Sequence, residues 1–348
     1  MTASSKPVSR RRFLTDAALA AGIGLGGAPL ARTAQTDTEP PGRPNLVFVF
    51  SDQHSYDMLG CYGNRQIVTP HFDRLAAEGV RFNHCVSNTP VCTPYRSMLL
   101  SGQHPLRTGC VVNDYQLPTD RGDSIGEVLR DSGYRTGYVG KWHLYGGNRN
   151  RPIPAGPHRH GFETFLSNNC TLDFRAGHAY YWTETGEKVV FDKWEPYGQT
   201  DQAVNFLDRQ SASDPFALFV SWHPPHNHGP GRRYDTLEDL EALYDADELE
   251  LRPGTVDTPK VRRWYRGHMA MVTGLDKCFG RILDKLREKN LEDNTIVIFT
   301  ADHGDLLNAH CRMWPKGTPE DLSCRVPFLM RWPGRISRGS ASNLLIGA

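Results

Sequence analysis

The residues of this chain that are best placed to do chemistry lie in the segment Cys92-Thr93-Pro94-Tyr95-Arg96 and in the run Ser97 to Gly102 behind it. A helix is predicted to start here, because the fixed φ of Pro94 suits a first helical turn, where its missing N–H is not needed. Such a helix start attracts anions through its free amides and its positive dipole end. Arg96, one turn into the helix, carries a guanidinium that can hold an oxyanion by charge-assisted hydrogen bonds. The segment therefore predicts an anion held beside Cys92, and a buried thiol that only packs is the alternative.

Four more groups of polar residues directly follow apolar runs of strand length. The runs are Asn45 to Ser51, Gly137 to Gly140, Phe216 to Trp222 and Thr295 to Thr300. They lead into Asp52-Gln53, Lys141-Trp142-His143, His223-Pro224-Pro225-His226 and Ala301-Asp302-His303-Gly304, respectively. Continuous rather than alternating hydrophobicity is typical of strands that are covered on both faces.

Helical stretches between these runs indicate the fold class. The candidates are Pro70 to Glu78, Tyr95 to Leu100, Ser124 to Ser132, Asp201 to Asp208 and Val261 to Lys289. Strands that alternate with helices predict an α/β fold, here an α/β/α sandwich with a mainly parallel mixed sheet. Ligands bind at the carboxyl ends of the strands in such sheets, so the four polar groups are expected to converge on one site. A β-hairpin is predicted where Tyr180 to Trp182 and Val189 to Phe191 flank Thr185-Gly186.

Asp52, Gln53, Asp302 and His303 form a candidate metal site. Carboxylate, amide and imidazole groups make the oxygen-rich ligand set that a hard divalent cation prefers. The alternative is structural, with aspartates that cap the following helix and a histidine that is hydrogen-bonded in the core. Gln53 is the weakest of the four candidates, because a neutral amide is a poorer ligand than a carboxylate.

Taken together, these segments resemble the type I sulfatases, the formylglycine-dependent family of the alkaline-phosphatase-like superfamily. The segments that carry the resemblance are C-x-P-x-R at Cys92 to Arg96, Pro44 to Gln53, Gly140 to His143, Pro225-His226, Thr300 to Gly304, Trp314 to Gly317 and Val326 to Gly334. The resemblance implies that a formylglycine-generating enzyme oxidises Cys92 to an aldehyde, whose hydrate is the nucleophile. It also implies that this residue joins Asp52, Gln53, Asp302 and His303 around Ca²⁺, with Mg²⁺ or Mn²⁺ also fitting.

The resemblance further assigns roles to four basic residues around a bound sulfate ester. Lys141 would neutralise the sulfate charge and His143 would orient or deprotonate the aldehyde hydrate; their spacing of two places both on one side of an extended segment. His226 and Lys316 would contact the leaving group, and one of them would supply its proton. His223 is a near neighbour that is easily confused with His226, which is preferred on its position in the motif. The implied activity is hydrolysis of a sulfate ester, here of a sulfated carbohydrate.

Two departures from the family pattern keep other functions open. Many sulfatases have two aspartates where this chain has Asp52-Gln53, so a phosphonate monoester or phosphodiester is a rival substrate. Sulfatases usually continue into a smaller C-terminal subdomain, whereas the resemblance here runs from about Pro44 to Gly334 and the chain ends at Ala348. That subdomain is therefore expected to be missing, and a truncated, non-catalytic remnant is the second alternative.

The N-terminal residues have the pattern of an export signal. Ser9-Arg10-Arg11-Arg12-Phe13-Leu14 matches the twin-arginine motif, and the apolar stretch Ala17 to Ala31 is too short to span a bilayer comfortably. We expect residues 1–34 to be a signal, 35–43 a linker and 44–348 the catalytic domain of a bacterial protein that is exported to the periplasm or secreted, with no stable membrane insertion. The net charge of +1 gives no case for nucleic acid as a partner. No two of the eight cysteines form a C-x-x-C pair, so the sequence does not indicate a zinc ribbon or a thioredoxin motif.

Overall fold

Five parallel strands form the centre of the sheet in this computed structural model, which describes residues 42–229, 233–312 and 315–348. Their order is β8, β1, β7, β3, β4. The bounds are β1 Asn45–Asp52, β3 Arg135–Lys141, β4 Thr164–Asn168, β7 Phe216–Pro225 and β8 Thr295–Ala301. All four pairings among them are parallel, so their carboxyl ends lie along one edge.

Shorter strands extend the sheet on both sides and make it mixed. Beyond β8 lie β10, β2 and β11, and beyond β4 lie β5 and β6, while β9 pairs with β2. The bounds are β2 Val80–Val86, β5 Tyr180–Trp182, β6 Lys188–Val190, β9 Arg325–Val326, β10 Phe328–Arg331 and β11 Ser340–Gly347. β5 and β6 pair antiparallel, which is the predicted hairpin.

Helices cover both faces of the sheet. In the described part of the chain they are α1 Pro70–Glu78, α2 Cys92–Ser101, α3 Pro105–Thr108, α4 Ile125–Asp131, α5 Glu195–Asp208, α6 Glu238–Glu241, α7 Pro259–Glu288, α8 Ala309–Arg312 and α9 Asp321–Cys324. Short 3₁₀ turns occupy Gly60–Tyr62, Pro157–Arg159 and Glu292–Asn294.

Successive residues of β1 pack against opposite helical layers. Val47 and Val49 belong to the core cluster that contains the buried faces of α1, α5 and α7. Phe48 and Phe50 belong to a second cluster with residues of α2 and α4. Because side chains alternate along a strand, one apolar run supplies both cores. The predicted α/β/α sandwich with a mainly parallel mixed sheet is thereby confirmed.

Two helices begin at least three residues earlier than their sequence patterns indicate. α2 begins at Cys92 rather than at Tyr95, because a proline in the first turn has no preceding turn to clash with. α5 begins at Glu195 rather than at Asp201, and Pro196 again lies in its first turn. Gly198 conceals this start in the sequence, and it is required because a Cβ there would lie 2.5 Å from the ring of Phe191.

The long helix α7 has buried residues along nearly its whole length, from Val261 to Leu286. Its first turn is capped by the hydroxyl of Thr258, which accepts a hydrogen bond from the amide of Val261 at 3.2 Å. The structure gives Pro259–Glu288, close to the predicted Val261 to Lys289. None of the helices that the structure describes combines the length and the apolar content needed to cross a membrane. The predicted export signal at residues 1–34 lies outside the described residues.

Candidate active site

The polar residues at the ends of β1 and β8 meet at the carboxyl edge of the sheet. β1 and β8 run in parallel with Ser51 opposite Ala301, so Asp52 and Asp302 come out of neighbouring strands side by side. Ligand atoms of Asp52, Cys92, Asp302 and His303 all lie within 4.8 Å of one another, and all four residues are buried. The predicted convergence therefore takes place, and Cys92 is part of it.

Cys92 is the first residue of α2, and its thiol faces this cluster. Its Sγ lies 3.6 Å from Asp52 Oδ1, 3.4 Å from His303 Nε2 and 3.2 Å from Lys316 Nζ. The helix start offers fewer free amides than its sequence pattern predicts, because Thr93 donates its N–H to Asn113 Oδ1 at 3.0 Å. Cationic side chains therefore provide most of the positive charge beside Cys92.

Arg96 lies behind the cluster and holds the two carboxylates together. Its Nη2 is 3.2 Å from Asp52 Oδ2 and 3.2 Å from Asp302 Oδ2, while its Nη1 donates to the Lys141 carbonyl and to Ser221 Oγ. The side chain is fully buried. Both Nη atoms of the guanidinium are thus engaged by the protein itself, and Arg96 acts through the position of Asp52 and Asp302.

The two aspartates and His303 leave one point that all of them face. His303 Nε2 lies 3.4 Å from an oxygen of Asp52, 3.4 Å from an oxygen of Asp302 and 3.4 Å from Cys92 Sγ. Burial and the neighbouring Asp52 charge raise the pKa of Asp302 to about 6. Burial alone would also raise the pKa of Asp52, but its neighbours, the charge of Lys141 foremost, outweigh burial and hold that pKa well below its usual value. Two buried carboxylates this close favour a cation between them.

Gln53 is held so that its carbonyl oxygen stays available. Its Nε2 donates to Asp305 Oδ2 at 2.7 Å and to Asn227 Oδ1 at 3.0 Å, and it lies 3.5 Å from the Tyr234 hydroxyl. Its Oε1 is buried and has no hydrogen-bond partner among the described residues. An unpaired buried acceptor is costly, so this oxygen fits a cation ligand.

Lys141 and His143 lie on the other side of Cys92. Lys141, the last residue of β3, forms a buried ion pair with Asp52. His143 does not continue the extended segment as predicted, because its φ of 57° is left-handed. Its Nε2 lies 3.1 Å from Asp114 Oδ1, and Arg149 binds the same carboxylate at 2.7 Å. Both residues still reach the site. The prediction of an extended segment holds for Lys141 and is wrong for His143.

His226 and Lys316 form a contact pair that faces Cys92. Lys316 Nζ donates to His226 Nε2 at 2.8 Å and lies 3.2 Å from Cys92 Sγ. Burial and the Lys316 charge lower the pKa of His226, which favours a neutral imidazole there. His223 turns away to a buried carboxylate, with Nδ1 2.8 Å from Glu195 Oε1. The structure thus brings His226, rather than His223, to Lys316.

A family model described as Sulfatase matches residues 44–345. The chain belongs to the sulfatase family. An ulvan-active sulfatase of Formosa agariphila is 35% identical over 312 residues, which are 87% of this chain and 58% of that relative. An endo-4-O-sulfatase of Bacteroides thetaiotaomicron is 29% identical over 94% of this chain and 71% of its own length. The crystal structure of the putative sulfatase YidJ from Bacteroides fragilis has a TM-score of 0.80 and 32% identity, covering 88% of this chain and 71% of that chain.

The metal that sulfatases use fits the donors of this chain. Asp52, Asp302 and His303 face one point, and the free Oε1 of Gln53 adds a neutral oxygen. This set is rich in hard oxygen donors, as Ca²⁺, Mg²⁺ or Mn²⁺ prefer.

Two groups of residues in this sulfatase site were missed by the sequence patterns. Asp305 and Tyr234 hold Gln53, and the Tyr234 hydroxyl donates to Asp305 Oδ2 at 2.7 Å. Asp305 follows the motif at Thr300 to Gly304 by one residue, which was the available signal. The second group surrounds Cys170, which has no motif of its own.

Cys170 lies against the rings of both His143 and His223. Burial by itself would lower the pKa of His143, but Cys170 and Asp114 outweigh it and raise that pKa to about 10. Burial would likewise raise the pKa of the Cys170 thiol, yet Lys141 and His143 hold it well below its usual value. Glu195, Cys170 and Asp114 therefore alternate with the two imidazoles in a row that is buried except at Asp114, and the groups on either side of His143 favour its protonated form over a proton acceptor.

The glycine before Lys141 allows this site to form. Gly140 has a φ of 128°, and a Cβ there would lie 2.0 Å from the Ser221 carbonyl oxygen on the neighbouring strand. A side chain would therefore push β3 away from β7. Such a shift would carry Lys141 away from Asp52.

Proposed function

We propose that this chain hydrolyses a sulfate ester of a carbohydrate, with Cys92 converted to formylglycine and a divalent cation held by Asp52, Gln53, Asp302 and His303. One observation carries the proposal: Cys92 begins a helix whose first turn faces a buried cluster of carboxylates, imidazoles and ammonium groups at the sheet edge. A thiol that only packs in a core would have no use for these charges, whose burial is costly.

The basic side chains divide the reaction between two sides of residue 92. When present, the hydrated aldehyde supplies an attacking hydroxyl and the cation supplies positive charge against the sulfate oxygens. Lys141 and the protonated His143 hold negative charge on one side. On the other side, Lys316 Nζ donates a hydrogen bond to His226 Nε2 at 2.8 Å, and one of these two groups would supply the proton to the leaving oxygen.

A carbohydrate substrate is supported by the names of the relatives. An ulvan-active sulfatase, an endo-4-O-sulfatase and an N-acetylglucosamine-6-O-sulfatase are among the proteins that this chain resembles. The chain spans 58% of the first of these, so the assignment to a sulfated sugar is part of the proposal.

Mass spectrometry of the Cys92 peptide tests the proposal first. Protein co-expressed with a formylglycine-generating enzyme is expected to show the mass loss of thiol-to-aldehyde conversion at Cys92. Turnover of an aryl sulfate and an aryl phosphonate is then compared, and faster sulfate hydrolysis is expected. An unmodified Cys92 would favour a non-catalytic remnant, and faster phosphonate hydrolysis would favour the phosphonate monoester alternative.

We further propose that the protein is exported through the twin-arginine route. The support is the segment Ser9 to Leu14 and the short apolar stretch Ala17 to Ala31. N-terminal sequencing of the protein recovered from the periplasm or the medium is expected to start near Gln35. Recovery with Met1 intact would contradict this assignment, and replacing Arg10 and Arg11 by lysine should retain the protein in the cytoplasm.

A further inference from the structure

A basic groove lies between Arg233 and Tyr234 on one side and the start of α7 on the other. Its volume is about 380 Å³, and its basic and aromatic lining residues are Arg233, Tyr234, Lys260, Arg263, Trp264 and Arg266. Two acidic residues, Asp235 and Glu241, also line it. The formal charge of this lining is +2, although the whole chain carries only +1. Positive charge is therefore concentrated here.

Two cations of the basic groove have no carboxylate partner in the part of the chain that the structure describes. Arg266 is paired with Glu241 at 2.6 Å, and Arg233 lies 3.7 Å from Asp235. Among the described residues, no carboxylate lies within ion-pair distance of Lys260 or Arg263, and both side chains are exposed. Lys260 lies 4.9 Å from the centre of the Trp264 ring. The groove thus combines free positive charge with an aromatic face, which suits an anionic ligand with an apolar surface.

An antiparallel bridge between His228 and Arg233 links the basic groove to the candidate active site. His228 and Arg233 exchange backbone hydrogen bonds of 2.8 Å and 3.0 Å, and His228 lies two residues after His226. Two residues of chain and one cross-strand step put the backbone of Arg233 within about 13 Å of the backbone of His226. Tyr234, on the groove wall, reaches Asp305 with its hydroxyl. A chain of a few sugar rings could therefore touch both places.

We propose that the basic groove binds a sulfate group on a neighbouring sugar of a polymeric substrate while another sulfate ester of that polymer lies at Cys92. This inference rests on the proposed function. Arg263 offers a planar fork of donors that matches sulfate oxygens, and Lys260 adds a point charge beside Trp264. Because the groove is open to water and salt, each of its ion pairs is weak. The groove therefore adds a modest affinity for substrates that are long enough to reach it.

A charge-reversal pair with a matched control tests the basic groove. The test variant is Lys260→Glu with Arg263→Glu, and the control is Lys277→Glu with Arg281→Glu, which lies at least about 20 Å further along the same helix. Both changes reverse two exposed charges about one turn apart on α7. The substrates are an aryl sulfate and a sulfated polysaccharide that the wild-type protein cleaves, with ulvan as the first to be tried.

The KM for the polysaccharide is expected to rise about ten-fold in the test variant, since two exposed ion pairs are lost, while kcat and all constants for the aryl sulfate stay unchanged. The control should behave as the wild type on both substrates. An unchanged KM for the polysaccharide, or an equal rise in the control, would overturn the assignment of the groove.

Binding without turnover separates this inference from the proposed function. Isothermal titration of ulvan into Cys92→Ala protein, with and without the groove substitutions, measures the groove when no reaction takes place. Weaker binding in the groove variant alone supports the groove, even if the wild-type protein fails to hydrolyse an aryl sulfate. Equal binding in both proteins rejects the groove, even if the aryl sulfate is hydrolysed.

Discussion

The middle and the carboxyl ends of the central strands are equally buried, but they are built from opposite chemistry. Val49, Val220 and Phe299 in the middle are apolar, whereas Asp52 and Asp302 at the ends are charged, and none of the five is exposed to solvent. Burial of apolar surface stabilises a protein by about 25 cal/mol for each Å². Burial of each charge costs several kcal/mol before its partners compensate. The middle of the sheet therefore stabilises the fold, whereas the buried charges at the strand ends lower the free energy of unfolding.

The backbone shows the same contrast between the two regions. Gln53, His143 and Asp114, all at the site, have φ angles of 64°, 57° and 67°. Left-handed backbone at a residue other than glycine costs on the order of 1 kcal/mol and is found where the surroundings impose it. β1 pairs with β7 in constant register from Leu46 to Ser51, and the register shifts only at Asp52, next to Gln53. Buried charge and left-handed backbone at one edge of the sheet indicate that this edge serves chemistry rather than stability.

The largest effect is expected at Cys92, where the contrast between function and stability is sharpest. Cys92→Ser removes the thiol that is oxidised but keeps a side chain of similar size, so the turnover of an aryl sulfate should fall at least about a thousand-fold. The free energy of unfolding should change by less than about 1 kcal/mol, since the substitution removes no large buried group. Aryl sulfate assays and urea denaturation measure the two quantities. Cys324→Ser, in a half-exposed position, is the control, and wild-type rates in Cys92→Ser would refute the mechanism.

The reverse result is expected in the middle of the sheet. Phe299 is buried, and its ring centre lies 4.0 Å from that of Phe72 and 5.8 Å from that of Phe279. Phe299→Ala should lower the free energy of unfolding by about 3–5 kcal/mol, because it leaves a cavity in this stack. Its kcat should remain within about two-fold of the wild-type value at temperatures where the variant is folded.

Urea denaturation and aryl sulfate turnover, measured on the same preparation of Phe299→Ala, give both numbers. Leu344→Ala provides the comparison, because Leu344 is 71% exposed and should change neither quantity. A Phe299→Ala protein as stable as the wild type, or one that is folded but inactive, would contradict the assignment of stability to the middle of the sheet and of activity to the strand ends.

The residues that the sequence predicted are those whose local pattern already contains the reason for their position. Asp52 and Asp302 directly follow continuous apolar runs, and parallel strands bring such ends together. Asp305 and Cys170 carry no such pattern. Asp305 meets Gln53 across 252 positions of sequence, and Cys170 meets His223 only because β4 and β7 both flank β3. Contacts of this kind depend on packing, so sequence periodicity does not predict them.

A smaller effect is expected from the residues that orient Gln53. Asp305 Oδ2 accepts from Gln53 Nε2 at 2.7 Å and from the Tyr234 hydroxyl at 2.7 Å. Asp305→Asn puts an amide donor or a weaker acceptor there, so Gln53 loses the partner that leaves its Oε1 free for a cation. The affinity for Ca²⁺ should fall about ten- to hundred-fold, as found for residues that orient metal ligands.

Isothermal titration of Ca²⁺ into chelator-treated protein measures this affinity without any turnover. Tyr234→Phe should weaken Ca²⁺ binding less than Asp305→Asn does, because Gln53 keeps its hydrogen bond to Asp305. Tyr244→Phe is the matched control, since the Tyr244 hydroxyl bonds to Thr273 and Val68 instead. Unchanged Ca²⁺ affinity in Asp305→Asn would mean that Gln53 is not a ligand or needs no support.

The smallest effect is expected from a buried histidine for which the described residues provide no ion pair like those of the site. His160 packs on Trp142, with ring centres 6.0 Å apart, and burial lowers its pKa to about 4. Its pKa in the unfolded chain is about 6.5, so the unfolded state binds the proton more tightly. The stability that follows from the neutral ring is therefore complete above about pH 6.5 and is lost as the pH falls towards 4. Between pH 7 and pH 5 the loss should be about 2 kcal/mol.

His160→Asn isolates this term, because asparagine tolerates the left-handed φ of 45° at that position and does not titrate there. The variant should be less stable than the wild type at pH 7, where the stacking on Trp142 is lost, but the difference should shrink as the pH falls to 5. Urea denaturation of both proteins at several pH values measures that difference, and the other titrating groups cancel from it. A difference that stays constant with pH would show that His160 is protonated as easily in the folded protein as in the unfolded chain, and that a buried imidazole here needs no carboxylate to accept its charge.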